Sequence, residues 1–407
     1  MELSDGHLVP AAPDGSVVWD IDPYDAGILG NPEPYYAELR SRGPLVYIPR
    51  YGILACGRYK ETREIFGDWK RFVSSRGVGL TDFKYNAHWR EPSIVLEVDP
   101  PYHTKTRTVI ARALSPHAVA RLGTAFREAA DKLIDELIDR GSFDAVTELA
   151  EVFPTTVFPS AVGLKEVHRR YLVDFGSLIF NALGPDNDLR RRALAAAPDI
   201  VAWIQRQCSR DQLEPEGFGA TIYAAADSGE LSEKEAGMLV RSLLSAGVDT
   251  TVTGIGNAIW CLASHPGQFA KLKADPSLAR PAFEEVLRYS SPVHSFCRTA
   301  NVDTNVSGTD IKEGTKILCV LGAANLDEAH WENARTFDIE RRPTGHLAFG
   351  TGVHGCVGQN VARAEVESLL AAIAAKVRSI EIEGEPVWRP NNAIHALDRM
   401  PIRFTAN

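Results

Sequence analysis

The pattern of hydrophobic and polar residues predicts helices through the middle of the chain and short strands on either side. From about Asp99 to Ala274, Ala, Leu, Arg and Glu dominate, and glycines and prolines divide the segment into separate helices. Two β-prone runs flank Pro49 to Gly52 and indicate a hairpin. Further β-prone runs lie at 315–321, 380–384 and 400–404. Residues 1–30 are expected to form an irregular arm of a single domain, spanning 1–407, that is mainly α with a minor β-sheet region.

One helix is predicted to be much longer than the others. Ser232 and Glu235 form a capping-box pattern at its start, and Pro266 follows its expected end near Ser264. These limits give about 32 residues, or roughly 48 Å at the rise of an α-helix. After Met238 the pattern is apolar on nearly every face, so we expect this helix to be central and buried.

Composition and charge narrow the functional classes. The 407 residues are 44% hydrophobic and 24% charged, with a net charge of −9 and acids and bases mixed along the chain. This argues against nucleic acid as a partner, because phosphate-binding domains carry a basic face. We see no signal-peptide pattern and no apolar run long enough for a membrane span, so no membrane partner is expected. Six cysteines without C-x-x-C spacing argue against a disulfide framework or a zinc site and fit a reducing cytoplasm.

A glycine-rich stretch, FGTGVHGCVG at 349–358, surrounds one of these cysteines, Cys356. The other five are expected to be buried small hydrophobic residues. The glycines could simply form a turn before a helix. Alternatively, they allow a large ligand to approach the backbone and be held by the cysteine sulfur.

A second unusual stretch, AGVDTT, lies inside the predicted long helix. Buried polar groups need partners, and Thr250 could satisfy itself by bonding to the carbonyl one turn earlier, as threonines in helices often do. The functional interpretation is that Ala246 and Gly247 let a flat ligand lie against the backbone, while Asp249 and Thr250 relay protons to it.

Two further pairs have helical spacing. Glu285 and Arg288 are three residues apart and can pair on one face, which is most often a surface ion pair of little energetic weight. Pro101 begins a helix that places His103 and Arg107 four residues apart, where both can donate hydrogen bonds to an anion or lie on a solvated face.

Taken together, these motifs resemble those of the cytochrome P450 superfamily. The run F-G-x-G-x-H-x-C-x-G at 349–358 is similar to its haem-binding signature, and the motifs H-x-x-x-R, A-G-x-D-T and E-x-x-R precede it in the family's order. The resemblance spans roughly residues 99 to 365. It implies the P450 fold, with the long central helix over a buried haem.

The resemblance also implies haem b, iron protoporphyrin IX, as the cofactor, with Cys356 as the axial ligand of the iron. Phe349 would shield the ring, and Gly350 and Gly358 would let backbone N–H groups approach the sulfur. The residues that match the family's partners of the haem propionates are His103, Arg107, Arg298 and His354.

Glu285 and Arg288 would have a structural role, locking their helix against the loop before the cysteine, with Arg341 as a possible third member. The family's usual A-N-R-D run lacks its arginine here, since residues 324–327 read A-N-L-D. This departure weakens the expectation for Arg341.

The activity that the resemblance implies is a monooxygenase reaction, in which one atom of O2 enters the substrate and the other leaves as water. Asp249 and Thr250 would deliver the protons, which argues against a haem-based sensor or a peroxide-driven enzyme. The sequence carries no flavin or iron–sulfur motif, so electrons are expected from a two-iron, two-sulfur ferredoxin and a flavin-containing ferredoxin reductase. We expect a monomer.

Eight residues fall where the family binds substrate: Arg90, Ser93, Phe180, Arg241, Ser242, Ser245, Val293 and Phe296. The two arginines could be surface charges or propionate partners, or could hold an anionic substrate together with the serines. The chain looks most like bacterial members that oxidise para-substituted benzoic acids, for example by O-demethylating 4-methoxybenzoate. A neutral terpenoid or fatty-acid-like substrate is the alternative.

Two bases suggest where an electron carrier would dock. Lys105 and Arg112 lie seven residues apart and so share a helix face, away from Arg107. They could attract an acidic ferredoxin, or they could be ordinary solvated bases.

Overall fold

The computed structural model describes residues 2–4, 7–9, 11–86 and 88–407 of the chain. Its helices are α1 (Ala26–Gly30), α2 (Glu33–Arg42), α3 (Tyr59–Gly67), α4 (Tyr102–Ala113), α5 (Pro116–Arg140), α6 (Val152–Val162), α7 (Arg169–Asn181), α8 (Asp188–Ala195), α9 (Ala197–Gln207), α10 (Phe218–Asp227), α11 (Glu233–Ala246), α12 (Asp249–Ser264), α13 (Pro266–Ala274), α14 (Ala279–Tyr289), α15 (Leu321–Asn325) and α16 (Gln359–Lys376). A π-helical turn covers Ala145–Ala150, and short 3₁₀ turns cover Arg210–Gln212, Pro276–Leu278 and Gly352–His354.

The strands are short and lie mainly toward the two ends of the chain. They are β1 (Glu2–Ser4), β2 (His7–Val9), β3 (Val17–Val18), β4 (Val46–Ile48), β5 (Ile53–Cys56), β6 (Phe72–Val73), β7 (Ser142–Asp144), β8 (Ser295–Ala300), β9 (Thr304–Val306), β10 (Thr309–Ile311), β11 (Lys316–Val320), β12 (Val377–Ile382), β13 (Val387–Arg389), β14 (Ala396–Arg399) and β15 (Pro401–Ala406). The prediction of a mainly α fold with a minor β-sheet region is therefore confirmed.

The largest sheet has six strands in the order β3-β4-β5-β11-β8-β6. Its β4 and β5 pair antiparallel, with Ile48 opposite Ile53, which confirms the predicted hairpin. Strand β11 pairs in parallel with β5 and antiparallel with β8, so the position of β8 is fixed by its hydrogen bonds in the sheet. The predicted C-terminal strands β12 and β15 pair with each other, and β15 also pairs with β7.

The segment 1–30 is more regular than predicted. It contains β3, which pairs in parallel with β4, and α1, whose first turn is capped by the Asp25 carboxylate accepting a hydrogen bond from the Gly27 N–H group at 2.9 Å. An aspartate is a favourable N-cap, so this short helix has a local cause that the Gly and Pro content of the segment concealed.

The predicted long central helix is interrupted. The capping box of Ser232 and Glu235 begins α11 as expected, and α12 ends at Ser264 as expected, but the helix breaks between Ala246 and Asp249. The Thr250 hydroxyl donates to the Ala246 carbonyl at 2.7 Å, an acceptor that a backbone N–H would use in a continuous helix. Such side-chain competition for carbonyls bends or breaks helices.

Packing also contributes to the break. A Cβ on Gly247 would lie 2.3 Å from Cζ of Phe158 on α6, so this ring fits only because the residue is a glycine. Beyond the break, 12 of the 16 residues of α12 are buried, which confirms that this part of the chain is central. No helix within the described ranges is long and apolar enough to cross a membrane.

Candidate active site

A cavity lies beside the junction of α11 and α12. Its walls come from α4, α6, α7, α14, β8, the start of α16 and the loop segments 90–96 and 348–358. The lining is mostly aliphatic and aromatic, with a small number of polar side chains, as is typical of sites for small molecules and cofactors.

The glycine-rich loop forms one part of this lining. Gly350 and Gly352 both have φ of 68°, a backbone conformation that favours glycine, and they fold the loop so that the Cys356 N–H donates to the Phe349 carbonyl at 2.7 Å. All six cysteines are described, and only Cys356 is not buried. Burial of its sulfur among protein groups raises the pKa of the Cys356 thiol, whereas hydrogen bonds from the Gly358 and Gln359 backbone act to lower it.

Four donor side chains lie next to this loop: Arg107, Arg298 and His354 line the cavity, and His103 packs against His354 behind it. The Nε2 atom of His103 and the Nδ1 atom of His354 are buried without a hydrogen-bond partner among the described residues, and the two rings are 4.4 Å apart. Burial, together with the neighbouring His354, lowers the pKa of His103 to about 4. These orphaned polar atoms are the expected signature of a site for an absent anionic group.

The two arginines of this set strengthen that interpretation. Arg298 is almost fully buried on β8, donates to the neighbouring Cys297 carbonyl at 2.9 Å, and has its guanidinium over the Phe66 ring at 3.8 Å. Burial lowers the pKa of Arg298 to about 10. Neither Arg107, which is half-buried, nor the buried Arg298 forms an ion pair within the described residues, and a buried arginine without a counter-ion is rare. The donor set fits the carboxylates of a haem.

One carboxylate, that of Asp99, helps to hold this donor set. His354 Nε2 lies 3.3 Å from Asp99 Oδ1, and the Ser74 and Ser75 N–H groups donate to the same carboxylate. Burial alone would raise the pKa of Asp99, but these hydrogen bonds hold it at about 2. The Asp99 contact orients the His354 ring, and sequence reasoning did not predict this residue.

The AGVDTT stretch presents Ala246 and Thr250 to the cavity. Ala246 is exposed to the cavity at the helix break. The Thr250 hydroxyl donates to the Ala246 carbonyl, as in the self-satisfied arrangement, and Thr250 is also one of the residues that line the cavity. Gly247 also lines the cavity, but the side chain it lacks makes room for Phe158.

Asp249 lies behind this surface, since it is fully buried and is not among the cavity-lining residues. Its Oδ1 accepts a hydrogen bond from Arg389 Nη2 at 3.2 Å, and its Oδ2 has no partner within the described chain. Burial raises the pKa of Asp249, and the charge of Arg389 acts against this rise. Sequence reasoning missed Arg389, which is 140 residues away on β13 and has no local motif.

The pair Glu285 and Arg288 is not a surface pair, because both side chains are fully buried at a separation of 2.8 Å. Arg288 also donates to carbonyls of the segment before the cysteine loop, including Ala334 at 2.7 Å. Arg341 Nε donates to Glu285 Oε1 at 3.1 Å, which places it as a third member despite the atypical A-N-L-D run. Asn325 of that run accepts from the Leu347 N–H at 2.7 Å.

All eight residues expected near the substrate line this same cavity: Arg90, Ser93, Phe180, Arg241, Ser242, Ser245, Val293 and Phe296. Phe180 and Phe296 pack with their ring centroids 6.3 Å apart. We use the term polar end for the group formed by Arg90, Ser93, Arg241 and Ser242, where the two serine hydroxyls are 3.4 Å apart.

The two arginines of the polar end are half-buried and donate hydrogen bonds to the segment 91–97. Arg90 pairs with Glu97 at 3.0 Å, and its Nε atom is buried without a partner within the described ranges. Arg241 donates to the carbonyls of Glu91 and Pro92 at 2.9 and 3.3 Å.

The two bases expected to attract an electron carrier are engaged with acids. Lys105 pairs with Glu235 at 2.8 Å, and Arg112 pairs with Glu230 at 2.9 Å. Each acid largely neutralises the positive charge that would attract an acidic carrier. The structure therefore does not favour docking at Lys105 and Arg112.

A different basic surface lies over the cysteine loop. Arg280 and Arg342 are exposed, have no ion-pair partner in the described part of the chain, and line a surface groove together with Gly355 and Gln359, which flank Cys356. Sequence reasoning missed this groove because its two arginines are far apart along the chain.

Comparisons with known proteins agree with this site. The family model for cytochrome P450 matches residues 204–394. The curated protein cytochrome p450 CYP199A2 from Rhodopseudomonas palustris is 48% identical over 95% of this chain and 94% of its own length. Cytochrome P450 monooxygenase PikC from Streptomyces venezuelae is 31% identical over 93% of this chain and 94% of its own length. The solved structure of cytochrome P450 CYP109Q5 from Chondromyces apiculatus superposes with a TM-score of 0.81 at 30% identity, covering 95% of this chain and 99% of that one.

The fold and the site therefore define a haem-thiolate enzyme, and the chain belongs to the cytochrome P450 family. It is a P450 monooxygenase, and as a member of this family it binds haem b through a cysteine thiolate. The P450 fold predicted from the sequence motifs is confirmed.

Proposed function

We propose that this monooxygenase oxidises a small aromatic carboxylic acid, in the manner of the bacterial members that hydroxylate or O-demethylate para-substituted benzoic acids. The observation that carries the proposal is the polar end of the cavity. Two guanidinium groups and two hydroxyls meet there, whereas Phe180, Val293 and Phe296 form apolar walls elsewhere in the same cavity. Such a combination of apolar walls and a few convergent polar groups fits a flat ring with one charged end.

The haem would be held, in this proposal, by the cysteine loop and the donor set next to it. The Cys356 sulfur would bind the iron, with Phe349, Gly350 and Gly358 nearby, and Arg107, Arg298 and His354, with His103 beside them, would donate hydrogen bonds to the haem carboxylates. Ala246 also lines the cavity that would hold the haem. When bound, the haem supplies the activation of O2 and the insertion of one oxygen atom into the substrate.

In this proposal, Thr250 and Asp249 hold protons and deliver them for the reaction. The Thr250 hydroxyl donates a hydrogen bond to the Ala246 carbonyl, so its oxygen presents lone pairs to the cavity and can accept a hydrogen bond from a water there. Asp249 has one unpartnered oxygen, Oδ2, which can hold a proton, and Arg389 fixes the other. Burial raises the pKa of the Asp249 carboxyl, which makes it a better proton carrier than an exposed aspartate.

At the polar end, the substrate carboxylate is positioned by charge-assisted hydrogen bonds. Arg90 Nε is a buried donor without a partner in the described chain, and Ser93 contributes a hydroxyl, whereas the Ser242 hydroxyl already donates to the Met238 carbonyl at 2.9 Å. A carboxylate bound there would accept from Arg90 and Ser93, and it would hold the opposite end of the ring toward the reacting centre.

The proposal is tested by binding a benzoic acid and its methyl ester to the haem-loaded enzyme and following the shift of the Soret band. Esterification removes a charge-assisted contact worth about 1.5 to 3 kcal/mol, so we expect the ester to bind roughly 10- to 150-fold more weakly. Equal affinities for acid and ester would contradict an anionic substrate and would favour a neutral terpenoid or fatty-acid-like one.

Electrons come, in this proposal, from a two-iron, two-sulfur ferredoxin that is reduced by a flavin-containing reductase. An acidic carrier fits the groove that contains Arg280 and Arg342, because these cations are free and the groove is next to the cysteine loop. Local potential directs such an encounter even on a chain whose net charge is −9.

A further inference from the structure

The polar end of the cavity contains an acid that the substrate proposal leaves unexplained. Glu97 is buried, with a side chain only 1% exposed, and it pairs with Arg90, whose side chain is 13% exposed. A carboxylate beside a site for a carboxylate would repel the ligand. Its presence therefore needs a physical reason.

The geometry of Glu97 supplies one. Its Oε2 atom accepts a hydrogen bond from Arg90 Nη1 at 3.0 Å and another from the Ser93 N–H at 2.7 Å. This one oxygen of Glu97 therefore fixes both the Arg90 guanidinium and the backbone of Ser93, whose hydroxyl faces that of Ser242. Arg90 Nη1 also donates to the Glu91 carbonyl at 2.9 Å, while the Nε donor of Arg90 is buried without a partner among the described residues.

Charge gives a second reason. Arg241 has no carboxylate partner within the described chain, and its guanidinium donates to backbone carbonyls alone. Burial lowers the pKa of Arg241, and the positive charge of Arg90 lowers it further, so the two arginines are close enough to repel each other. Glu91 is also near Arg241 but is paired with Lys234 at 2.6 Å, so the formal charges of Arg90, Arg241 and Glu97 sum to a single positive charge, which matches one carboxylate.

We propose that Glu97 is a positioning residue that orients Arg90 and Ser93 and sets the polar end to one net positive charge, so that the cavity selects ligands with a single carboxylate. The inference rests on the proposed aromatic-acid function and adds to it a residue that determines specificity. Glu97 itself does not touch the substrate.

Two substitutions separate the two roles of Glu97. In Glu97→Gln, the amide oxygen can take the place of Oε2 and keep both hydrogen bonds, while the negative charge is lost. Glu97→Ala loses the charge and both hydrogen bonds. Glu233→Gln is the matched control, since Glu233 is an exposed acid on α11, the helix that carries Arg241, and pairs with Arg210 outside the cavity.

The measurement is the ratio of affinities for benzoic acid and methyl benzoate in each haem-loaded variant, with the spectrum of the reduced, CO-bound form as the check on folding. In Glu97→Gln we expect the preference for the acid to rise about 10-fold, the order expected when one unit charge is removed from a part-buried site. In Glu97→Ala the acid should bind at least about 10-fold more weakly than in Glu97→Gln, because positioning alone distinguishes the two. Glu233→Gln should change the ratio less than about twofold, since its pair is exposed.

Three results would overturn the inference. An unchanged ratio in Glu97→Gln would show that the charge of Glu97 does not reach the ligand. Equal acid affinities in the Gln and Ala variants would remove the positioning role, and parallel losses for acid and ester would leave Glu97 merely structural. A wild-type ratio of acid to ester affinity near one would instead contradict the proposed function, and with it this inference. The two failures are therefore distinguishable.

Discussion

Thr250 and Asp249 are neighbours in the sequence, yet only Thr250 lines the cavity, whereas Asp249 is buried against Arg389. The sequence motif predicts that an acid and a hydroxyl act together. It does not show that they have different surroundings, because the partner of Asp249 comes from a strand 140 residues away. At this scale the chemistry of a residue can be predicted from its neighbours in the sequence, and its electrostatic environment cannot.

The roles of these two residues lead to a prediction at the same scale. Thr250→Ala should leave substrate affinity nearly unchanged while diverting reducing equivalents to hydrogen peroxide, whereas Thr250→Ser should keep the coupling of NADH to product because it keeps the hydroxyl. Asp249→Asn should slow turnover by about 10²- to 10⁴-fold, the usual contribution of a general acid or base. The test compares product and peroxide formed per NADH in the three variants. Unchanged coupling in Thr250→Ala would remove the hydroxyl from the proton relay.

At the scale of elements, the central helix shows what a sequence pattern can and cannot determine. Its start at the Ser232 capping box and its end at Ser264 follow from local signals and are confirmed. Its break at Gly247 depends on the Phe158 ring of another helix and on a side-chain hydrogen bond, so neither the apolar periodicity nor propensity predicts it. The same holds for Arg341, whose contact with Glu285 was expected only from the resemblance.

The Glu285 and Arg288 pair gives the prediction that belongs to this scale, because it joins α14 to the segment before the cysteine loop. Glu285→Gln leaves the fully buried Arg288 without its counter-ion, and breaking a buried pair in this way typically costs about 3 to 5 kcal/mol. Glu136→Gln removes a comparable acid from an exposed pair with Lys132 and should cost less than about 1 kcal/mol. Denaturant unfolding of the haem-loaded enzymes measures both. Equal small losses would mean that the pair does not hold these elements together.

At the scale of the whole molecule, the distribution of charge matters more than its sum. The net charge is −9, and many of the bases on the surface are paired with acids, as Lys105 and Arg112 are. The groove with Arg280 and Arg342 differs because these two arginines have no ion-pair partner among the described residues and because it adjoins the loop that carries Cys356. In the proposed function, electrons would enter next to that loop, whereas the substrate would bind at the polar end of the cavity.

This arrangement predicts which mutations slow electron transfer from an acidic ferredoxin. Arg280→Glu and Arg342→Glu should each reduce the rate of electron transfer about 10-fold at low salt, and the difference from wild type should shrink as ionic strength rises, because the Debye length falls from about 10 Å at 0.1 M to about 3 Å at 1 M. Substrate affinity should not change, since neither residue lines the cavity. Lys105→Glu is the matched control, and a rate within about twofold of wild type is expected for it because its charge is already neutralised by Glu235. The measurement is the reduction rate against salt concentration for all four proteins. If the Arg280 and Arg342 curves coincide with wild type while Lys105→Glu is slow, the carrier docks on α4 after all, and the groove is a solvated surface.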